Sequence, residues 1–455
     1  MKNYLKKLFP QSTINKWHLF NAVLASWRYG QPGKKLRMIG VTGTNGKTTT
    51  AHLITAVLEA ASRKVGMTTT VDFKIGGSLV ENNLKMTTVN PWLLQKLLKQ
   101  MVEAGCDDAV IEVTSIALDQ HRLWGLKWHA VVFTNLTHDH LDYHGNMTDY
   151  RLAKEKLFAS RPALSVVNAD DPAGTSFEKY PANRTVTYGV RNNASVMAKK
   201  LYQRPGGTDF VLLVGGRQAS LSLPLPGEFN VYNALAAASV GLGLGIPLET
   251  VIMGLRSVAA VPGRMEVVDA GQGFTVIVDY AHTPDALQKV YETVKPTVRG
   301  KLIVVFGATG RRDKAKRPLM GALAGRFADF AILTSDDSYD EDPYRIIDEV
   351  AAGVPRGRPK KGRYKVKHAG EEDGDVSFKY KETGEDLWWW RIPDRREAIS
   401  KALSMARPQD AVLVLGKGAE KVMVVGDPHS SKGYKFIPWS DRAVLEELLV
   451  KYQVK

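Results

Sequence analysis

Between Val41 and Thr50 the chain reads VTGTNGKTTT, a pattern of glycine, lysine and threonine suited to gripping a phosphate. The run Leu36 to Val41 before it predicts a short buried strand. Ala51 to Ala61 after it carries Leu53, Ile54, Val57 and Leu58 at helical spacing. A strand that feeds a glycine-rich turn and then a helix aims several backbone N–H groups, and the positive end of the helix dipole, at one anion. Lys47 adds charge for the outer phosphates and Thr48 a hydroxyl for Mg²⁺. The spacing departs from the strict phosphate-loop form, because the position five residues before Gly46 is Val41 and Gly43 lies inside the loop. Nucleotide binding is the chemistry this segment predicts.

A second reactive constellation, Thr134-Asn135-Leu136-Thr137-His138-Asp139-His140-Leu141-Asp142-Tyr143-His144, follows another apolar run. Its imidazoles and carboxylates raise the question of zinc. Neighbouring side chains diverge at the end of a strand, so one or two ligands shared with another loop fit the spacing better than a local cage. Glu112, near the end of the apolar run Ala109 to Val113, is the candidate partner. Carboxylate, imidazole, phosphate oxygen and water together suit Mg²⁺ or Mn²⁺ in phosphoryl transfer.

These residues need a scaffold, and the chain supplies it as alternating apolar runs and helical patterns. The runs are 109–113, 130–133, 165–167, 275–278, 302–306, 330–333 and 411–415, which predicts α/β domains with mainly parallel sheets. Between Thr185 and Pro224 the pattern changes to short alternating strands around Gly206-Gly207 and Gly215-Gly216, predicting a small antiparallel sheet. Val261-Pro262-Gly263 marks a boundary. At 455 residues the chain is long enough for two or three domains. Its single cysteine, Cys106, excludes an intrachain disulfide framework and fits a reducing compartment. No window reaches the length of a membrane span and no signal-peptide core is evident, so a cytoplasmic protein is expected. The net charge of +15 is partly local. RGRPKKGRYKVK at 356–367 holds seven positive charges, and Glu371, Glu372, Asp373 and Asp375 follow, a pattern more typical of a solvated loop than of a nucleic-acid surface. The segment from about 355 to 390 reads as an insertion, with Trp388-Trp389-Trp390 expected to pack as a strand. Trp17, Phe20, Leu24 and Trp27 share a helical face suited to packing an N-terminal helix on the next domain.

The motifs GTNGKTT at 43–49, TNLTHDHLDYHG at 134–145, LPGEFNVYNALAA at 225–237, PGRME at 262–266, DYAHTPDAL at 279–287, FGATGRRDKAKRPLMG at 306–321 and LGKGAE at 415–420 resemble the Mur ligases. Within them the resemblance is nearest to the MurE branch, the UDP-N-acetylmuramoyl-dipeptide:amino acid ligases of peptidoglycan synthesis. It implies a P-loop central ATPase domain with a mainly parallel sheet over 36–261 and a C-terminal Rossmann-like domain over 262–455. Residues 1–35 would be a short helical vestige of a UDP-binding domain. ATP would phosphorylate a substrate carboxylate, and an amino group would attack the acyl phosphate to leave an amide. Such catalysis is positioning plus electrostatics.

By the same resemblance, Gly43, Thr44, Asn45, Gly46, Lys47, Thr48 and Thr49 would hold the phosphates. Asn230 and Asn233 would lie near the adenine, Arg264 near the phosphates and Asp279 at the ribose, with Tyr280 and His282 at the same junction. Thr48, Glu112, His140 and Lys154 would bind one or two Mg²⁺ ions, Lys154 as a carbamate. Thr87, Thr88 and Ser115 would meet the acyl substrate. Arg312 would take the carboxylate of the incoming amino acid, and Gly416 and Glu420 its amino group.

The departures bear on the second substrate. Diaminopimelate-adding members carry Asp-Asn-Pro-Arg where this chain has Asp336-Asp337-Ser338-Tyr339, so the arginine that would grip a distal carboxylate is absent and Asp336 and Asp337 could favour a cationic side chain. Arg311 replaces an acidic residue, Ile116 a histidine after the EVSS segment and Ala419 the histidine of GKGHE. About 40 residues precede the phosphate loop where the family's uridine-gripping domain takes roughly 100. A UDP-linked muramoyl dipeptide bound by a monomer is the expected acceptor. A partner protein that supplies the missing grip, or a free peptide, polyamino acid or folate-like glutamyl chain as acceptor, is the alternative. A P-loop ATPase acting on nucleic acid is a third reading, against which the DYAHTPDAL and RRDKAKRP segments weigh.

Overall fold

The computed structural model describes residues 11–204, 206–354 and 388–452. The basic run at 356–367 and nearly all of the 355–390 insertion lie outside the described residues. Eleven strands form the first sheet: β1 (Arg37–Thr42), β2 (Val65–Thr68), β3 (Asp72–Ile75), β4 (Ser78–Glu81), β5 (Asp108–Glu112), β6 (Trp128–Phe133), β7 (Leu164–Asn168), β8 (Arg184–Gly189), β9 (Val196–Arg204), β10 (Gly207–Val214) and β11 (Arg217–Leu223). Their order is β11-β10-β9-β8-β7-β6-β1-β5-β2-β3-β4, parallel from β9 to β2 and antiparallel at both ends.

The antiparallel strands expected between 185 and 224 are therefore not a separate small sheet. β8 pairs in parallel with β7, and β9 in parallel with β8, before the hairpins begin. Alternation of side chains predicts strands but not their neighbours, and Val186, Tyr188, Val196 and Ala198 bury into the same core as β1.

The second sheet contains β12 (Glu266–Val267), β13 (Thr275–Asp279), β14 (Leu302–Phe306), β15 (Phe330–Leu333), β16 (Trp389–Arg391) and β17 (Ala411–Leu415), in the order β12-β13-β17-β14-β15-β16. All its pairs are parallel except β12 with β13. β18 (Val422–Gly426) and β19 (Tyr434–Pro438) form a separate hairpin. The chain passes between the sheets at Val261, which bridges to Arg264. The tryptophan run packs as expected, with Trp389 buried and Ala331 paired to it.

Both sheets are covered on both faces, which is why their strands read as continuous apolar runs. One face of the first sheet carries helices α2 (Lys47–Ala60) and α5 (Glu228–Gly243); the other carries α3 (Pro91–Glu103) and α4 (Met147–Phe158). Cys106 is buried in this second layer.

Helix α1 (Gln11–Arg28) reverses an expectation. Its buried residues are Ala22, Ala25 and Ser26, while Trp17, Phe20, Leu24 and Trp27 face outward, the last 68% exposed. The aromatic residues do share a face, but the small residues on the other face allow the close approach to α3, where Trp92 donates to Asn21 at 3.2 Å. Among the described residues no helix is long and apolar enough to cross a membrane.

Seven of the segments with chemistry follow the carboxyl ends of parallel strands: 43–46 after β1, 113–115 after β5, 134–144 after β6, 280–282 after β13, 307–312 after β14, 336–339 after β15 and 416–420 after β17. In open α/β sheets that edge is where ligands bind.

Candidate active site

β1 delivers the chain into the turn Gly43–Gly46, and α2 starts at Lys47 with Gly46 as its cap in the left-handed region at φ 82°. Glycine is required at Gly46 on two counts, since a β-carbon there would also collide with Asn233. The segment after β6 clamps the loop. Thr44 N–H donates to the Asn135 carbonyl at 2.8 Å, Asn45 N–H to the Asn135 side chain at 2.9 Å, and the Thr134 hydroxyl to the Asn45 carbonyl at 2.7 Å. Lys47 folds back to donate to the Thr44 carbonyl at 2.8 Å. Its burial lowers its pKa, against the opposing pull of Glu112.

Thr48 donates to Glu112 Oε2 at 2.9 Å and accepts from Arg264 at 3.0 Å. The same Glu112 oxygen accepts from Thr70, through N–H at 2.9 Å and hydroxyl at 3.1 Å. Arg264 comes from the second domain, its guanidinium 4.4 Å from the centre of the Tyr280 ring. Lys154, 1% exposed on α4, donates to the Gly43 carbonyl at 2.8 Å and sits 4.4 Å from the Tyr150 ring centre. Burial, then the charge of Lys47, drives its pKa well below the ordinary lysine value, so the neutral amine is favoured. His140 stands at the start of the short helix Leu141–His144 with φ 55°. Burial lowers its pKa to about 3 despite Asp139, and the charges of Lys154 and Lys47 add to the effect, so its imidazole is neutral. Among the described residues no three His, Cys, Asp or Glu side chains converge as a cage. The donors near the phosphate loop are instead a hydroxyl, a carboxylate and a neutral imidazole, a set that fits Mg²⁺ completed by phosphate oxygen and water.

Thr87, Thr88 and Ser115 gather beside Glu112. Thr87 accepts from Thr70 at 2.9 Å, Thr88 donates to the Glu112 carbonyl at 2.9 Å, and Ser115 lies 2.9 Å from His144 Nε2. Asn230 and Asn233 sit behind the loop. Asn233 accepts from Thr50 at 3.2 Å and donates to Asn230 at 3.0 Å, and Asn230 donates to the Pro226 carbonyl at 2.7 Å. Thr49 is buried in the first turn of α2. Asp279 accepts from Met265 and Ala281 N–H groups, both at 2.7 Å, which fixes the turn that presents Arg264. His282 Nδ1–H donates to the Tyr280 carbonyl at 2.8 Å; burial, then Lys316, lowers its pKa to about 4.

Asp336 and Asp337, expected to favour a cationic side chain on the substrate, already face cations of this chain. Asp337 accepts from Lys417 at 3.0 Å and from Val424 N–H at 2.8 Å, and pairs closely with Lys85 of the first domain. Lys417 also reaches Asp336 at 3.7 Å and Glu420 at 2.5 Å, while Lys85 reaches Glu420 at 3.3 Å. The carboxylates are thus already paired, because their burial makes unpaired charge costly. Gly416, at φ 111°, lies against Asp336. Arg312 does not join this cluster; it is half exposed, 3.7 Å from Asp142 on the loop after β6. Tyr339 is not without a cation nearby. Arg311 lies 5.9 Å from its ring centre and 5.0 Å from that of Tyr434, but is committed to Asp340.

Lys85, Thr70 and Lys417 are the participants that sequence reasoning missed. Thr70 and Lys85 stand outside the recognisable motifs, whereas Lys417 stands within LGKGAE and was passed over for its neighbours. Further contacts close the domains on each other: Asn45 donates to Asp285 at 2.7 Å, and His138 lies 2.6 Å from Asp313.

The Mur ligase middle domain model matches residues 41–241, and the Mur ligase, glutamate ligase domain model matches residues 263–418. The UDP-N-acetylmuramoyl-L-alanyl-D-glutamate–2,6-diaminopimelate ligase of Geobacillus thermodenitrificans is 42% identical over 93% of this chain and 81% of its own. The UDP-N-acetylmuramyl-tripeptide synthetase of a Roseiflexus species is 41% identical over 94% of this chain and 82% of its own. A solved structure of a UDP-N-acetylmuramoyl-L-alanyl-D-glutamate–2,6-diaminopimelate ligase superposes with a TM-score of 0.60 at 30% identity, covering 95% of this chain and 82% of the other.

Proposed function

Given that the chain belongs to the Mur ligases, ATP-dependent ligases of peptidoglycan precursor synthesis, we propose that it joins one amino acid to the glutamyl carboxylate of UDP-N-acetylmuramoyl-L-alanyl-D-glutamate. The observation that carries this reading is the convergence of Lys47, the Thr48–Glu112 pair and Lys154 on the Gly43–Gly46 loop, with Arg264 reaching in from the second domain.

The loop N–H groups and Lys47 hold the ATP phosphates. Thr48, Glu112 and His140 are the residues that would hold Mg²⁺, which would supply positive charge for the transferring phosphoryl group. Thr87, Thr88 and Ser115 orient the acyl substrate so that its carboxylate oxygen faces the terminal phosphate in line. That oxygen attacks, ADP leaves, and an acyl phosphate remains. Arg264, placed against Thr48, supplies positive charge where the phosphoryl oxygens gather. Arg312 receives the carboxylate of the incoming amino acid, and its neutral amine attacks the acyl carbon to expel phosphate and form the amide. The acidic residues Asp336, Asp337 and Glu420 favour an amino acid with a cationic side chain.

Lys154 is proposed to act as a carbamate. Only a neutral amine adds CO₂: the nitrogen lone pair forms the N–C bond and one proton is released, leaving an anion. Burial favours the neutral form, and the resulting carboxylate would offer oxygen atoms beside Gly43 that an ammonium cannot.

The test is phosphate release from ATP and Mg²⁺ with UDP-N-acetylmuramoyl-L-alanyl-D-glutamate across a panel of amino acids. The panel contains lysine, ornithine, meso-diaminopimelate, norleucine and alanine, with Lys47→Ala as control. Release that depends on both substrates, with a new amide by mass, is the expected result. Protein that binds ATP yet releases no phosphate with any member would overturn the proposed acceptor, and other carboxylates would then be tried.

A further inference from the structure

The amino-acid pocket contains an ammonium group that does not belong to its own domain. Lys85 lies between β4 and α3 in the first domain, and its side chain, 11% exposed, crosses the cleft to Asp337 and Glu420. The turn that carries it is tied down by Asn82, whose side chain donates to the carbonyls of Thr69 at 2.8 Å and Met86 at 3.0 Å. Lys85 itself has φ 50°, a left-handed conformation that an L side chain adopts at a cost. Two and three residues further along, Thr87 and Thr88 line the acyl-substrate side.

The two lysines of this cluster are not equivalent. Lys417 is fully buried on the same loop as Glu420, touches Asp336, Asp337 and Glu420, and has its pKa raised because these carboxylates outweigh the effect of its burial. Lys85 arrives from another domain on a strained backbone, and its burial lowers its pKa against the pull of Glu420. Three carboxylates face two lysines, so removal of the Lys85 ammonium leaves a buried deficit that a cation must fill. Lys417 is the counter-ion supplied by the carboxylates' own domain, and Lys85 the one supplied from across the cleft.

Building on the ligase reading above, we propose that Lys85 is a built-in occupant of the amino-acid pocket, its ammonium standing at Asp337 and Glu420 where the side-chain ammonium of a diamino acid substrate binds. The substrate displaces Lys85, and the turn carrying Thr87 and Thr88 is released from the second domain as the amino acid is seated. A pocket closed by its own chain in most molecules shows an apparent affinity reduced by the fraction that is open.

Calorimetric titration of L-lysine and L-norleucine into the full chain with ADP and Mg²⁺ tests this. In Lys85→Met, the dissociation constant for L-lysine should fall about tenfold, corresponding to a pocket about one-tenth open in the parent. L-norleucine, which has no side-chain ammonium to take the place of Lys85 at Asp337 and Glu420, binds with Lys85 in place and should gain far less. Lys85→Gly, which also removes the backbone strain, should behave like Lys85→Met, whereas Lys85→Arg should retain the parent affinity. Unchanged or weaker L-lysine binding in both Lys85→Met and Lys85→Gly, or an equal gain for norleucine, would overturn the proposal. Amide formation by the parent protein is measured in parallel and reports separately on the ligase reading, because the titrations do not depend on turnover.

Discussion

At the phosphate loop, consecutive residues carry most of the chemistry, and many of their partners are backbone atoms: Thr44 N–H on the Asn135 carbonyl, Lys47 on the Thr44 carbonyl, Lys154 on the Gly43 carbonyl. At the proposed amino-acid pocket the decisive partners are charged side chains that the chain brings from Lys85, Asp336, Asp337, Lys417 and Glu420, across two domains. The first site depends on local backbone geometry, which a short motif can specify. The second depends on a balance of buried charge, which no single motif specifies. On the proposed reading, reaction type resides in the first and choice of amino acid in the second.

The largest test of the first half of this contrast is Lys47→Ala. Loss of a charge aimed at the transferring phosphoryl group should lower kcat by about 10³-fold, read by phosphate release, while chemical denaturation of the protein stays near the parent curve. If kcat fell by less than tenfold, the loop would not be the catalytic phosphate site.

Lys417→Met probes the second half. Three buried carboxylates would lose the counter-ion of their own domain, and a broken buried pair costs about 3–5 kcal/mol, so the urea midpoint should shift down sharply. A shift no larger than that of an exposed lysine would show that the cluster is not charge-balanced through Lys417.

The junction between the two sites should respond to pH. Burial lowers the pKa of His282 to about 4, below its unfolded value near 6.5, so its neutral form is favoured in the folded state. The stability it contributes is complete above about pH 6.5 and is lost as pH falls toward 4, by about 3 kcal/mol. His282→Asn should flatten that part of the acid limb in denaturation curves; an unaltered slope would remove His282 from the account.

Tyr339→Arg sharpens the question of selectivity. A cation at that position should improve kcat/KM for meso-diaminopimelate relative to lysine by about tenfold, the worth of a partly exposed guanidinium–carboxylate contact of about 1.4 kcal/mol. An unchanged ratio would mean that Arg311, already over Tyr339 and Tyr434, fills the same role. The smallest effect belongs to the outward face of α1: Trp17→Ser and Trp27→Ser should each change stability by less than about 0.5 kcal/mol. A larger loss would mean that the aromatic face is packed after all.

Much of this architecture is legible in the chain. The apolar runs at 302–306, 330–333 and 411–415 coincide with β14, β15 and β17, and the run before Gly43 with β1, because strands buried on both faces must be apolar along their length. The strand–loop–helix at 37–60 is likewise local, as is the proximity of Thr134–Asn135 to the loop once both follow neighbouring parallel strands. Less legible were the places where a pattern allows two outcomes. The aromatic stripe of α1 shows that the helix has two faces, but Ala22, Ala25 and Ser26 decide which one is buried. The alternation at 185–223 shows strands, but only their shared core attaches them to the main sheet.

By itself, then, the sequence determined the phosphate loop, the strands that frame it and the membership of a ligase family, because those rest on contacts between near neighbours and on backbone conformations that glycine and apolar runs impose. Only the tertiary structure decided that Arg264 reaches Thr48, that Asp336 and Asp337 are paired rather than free, and that Lys85 stands in a pocket of the other domain. Buried charges must find partners wherever the fold brings them, and one partner of Asp337 lies 252 positions away in the chain.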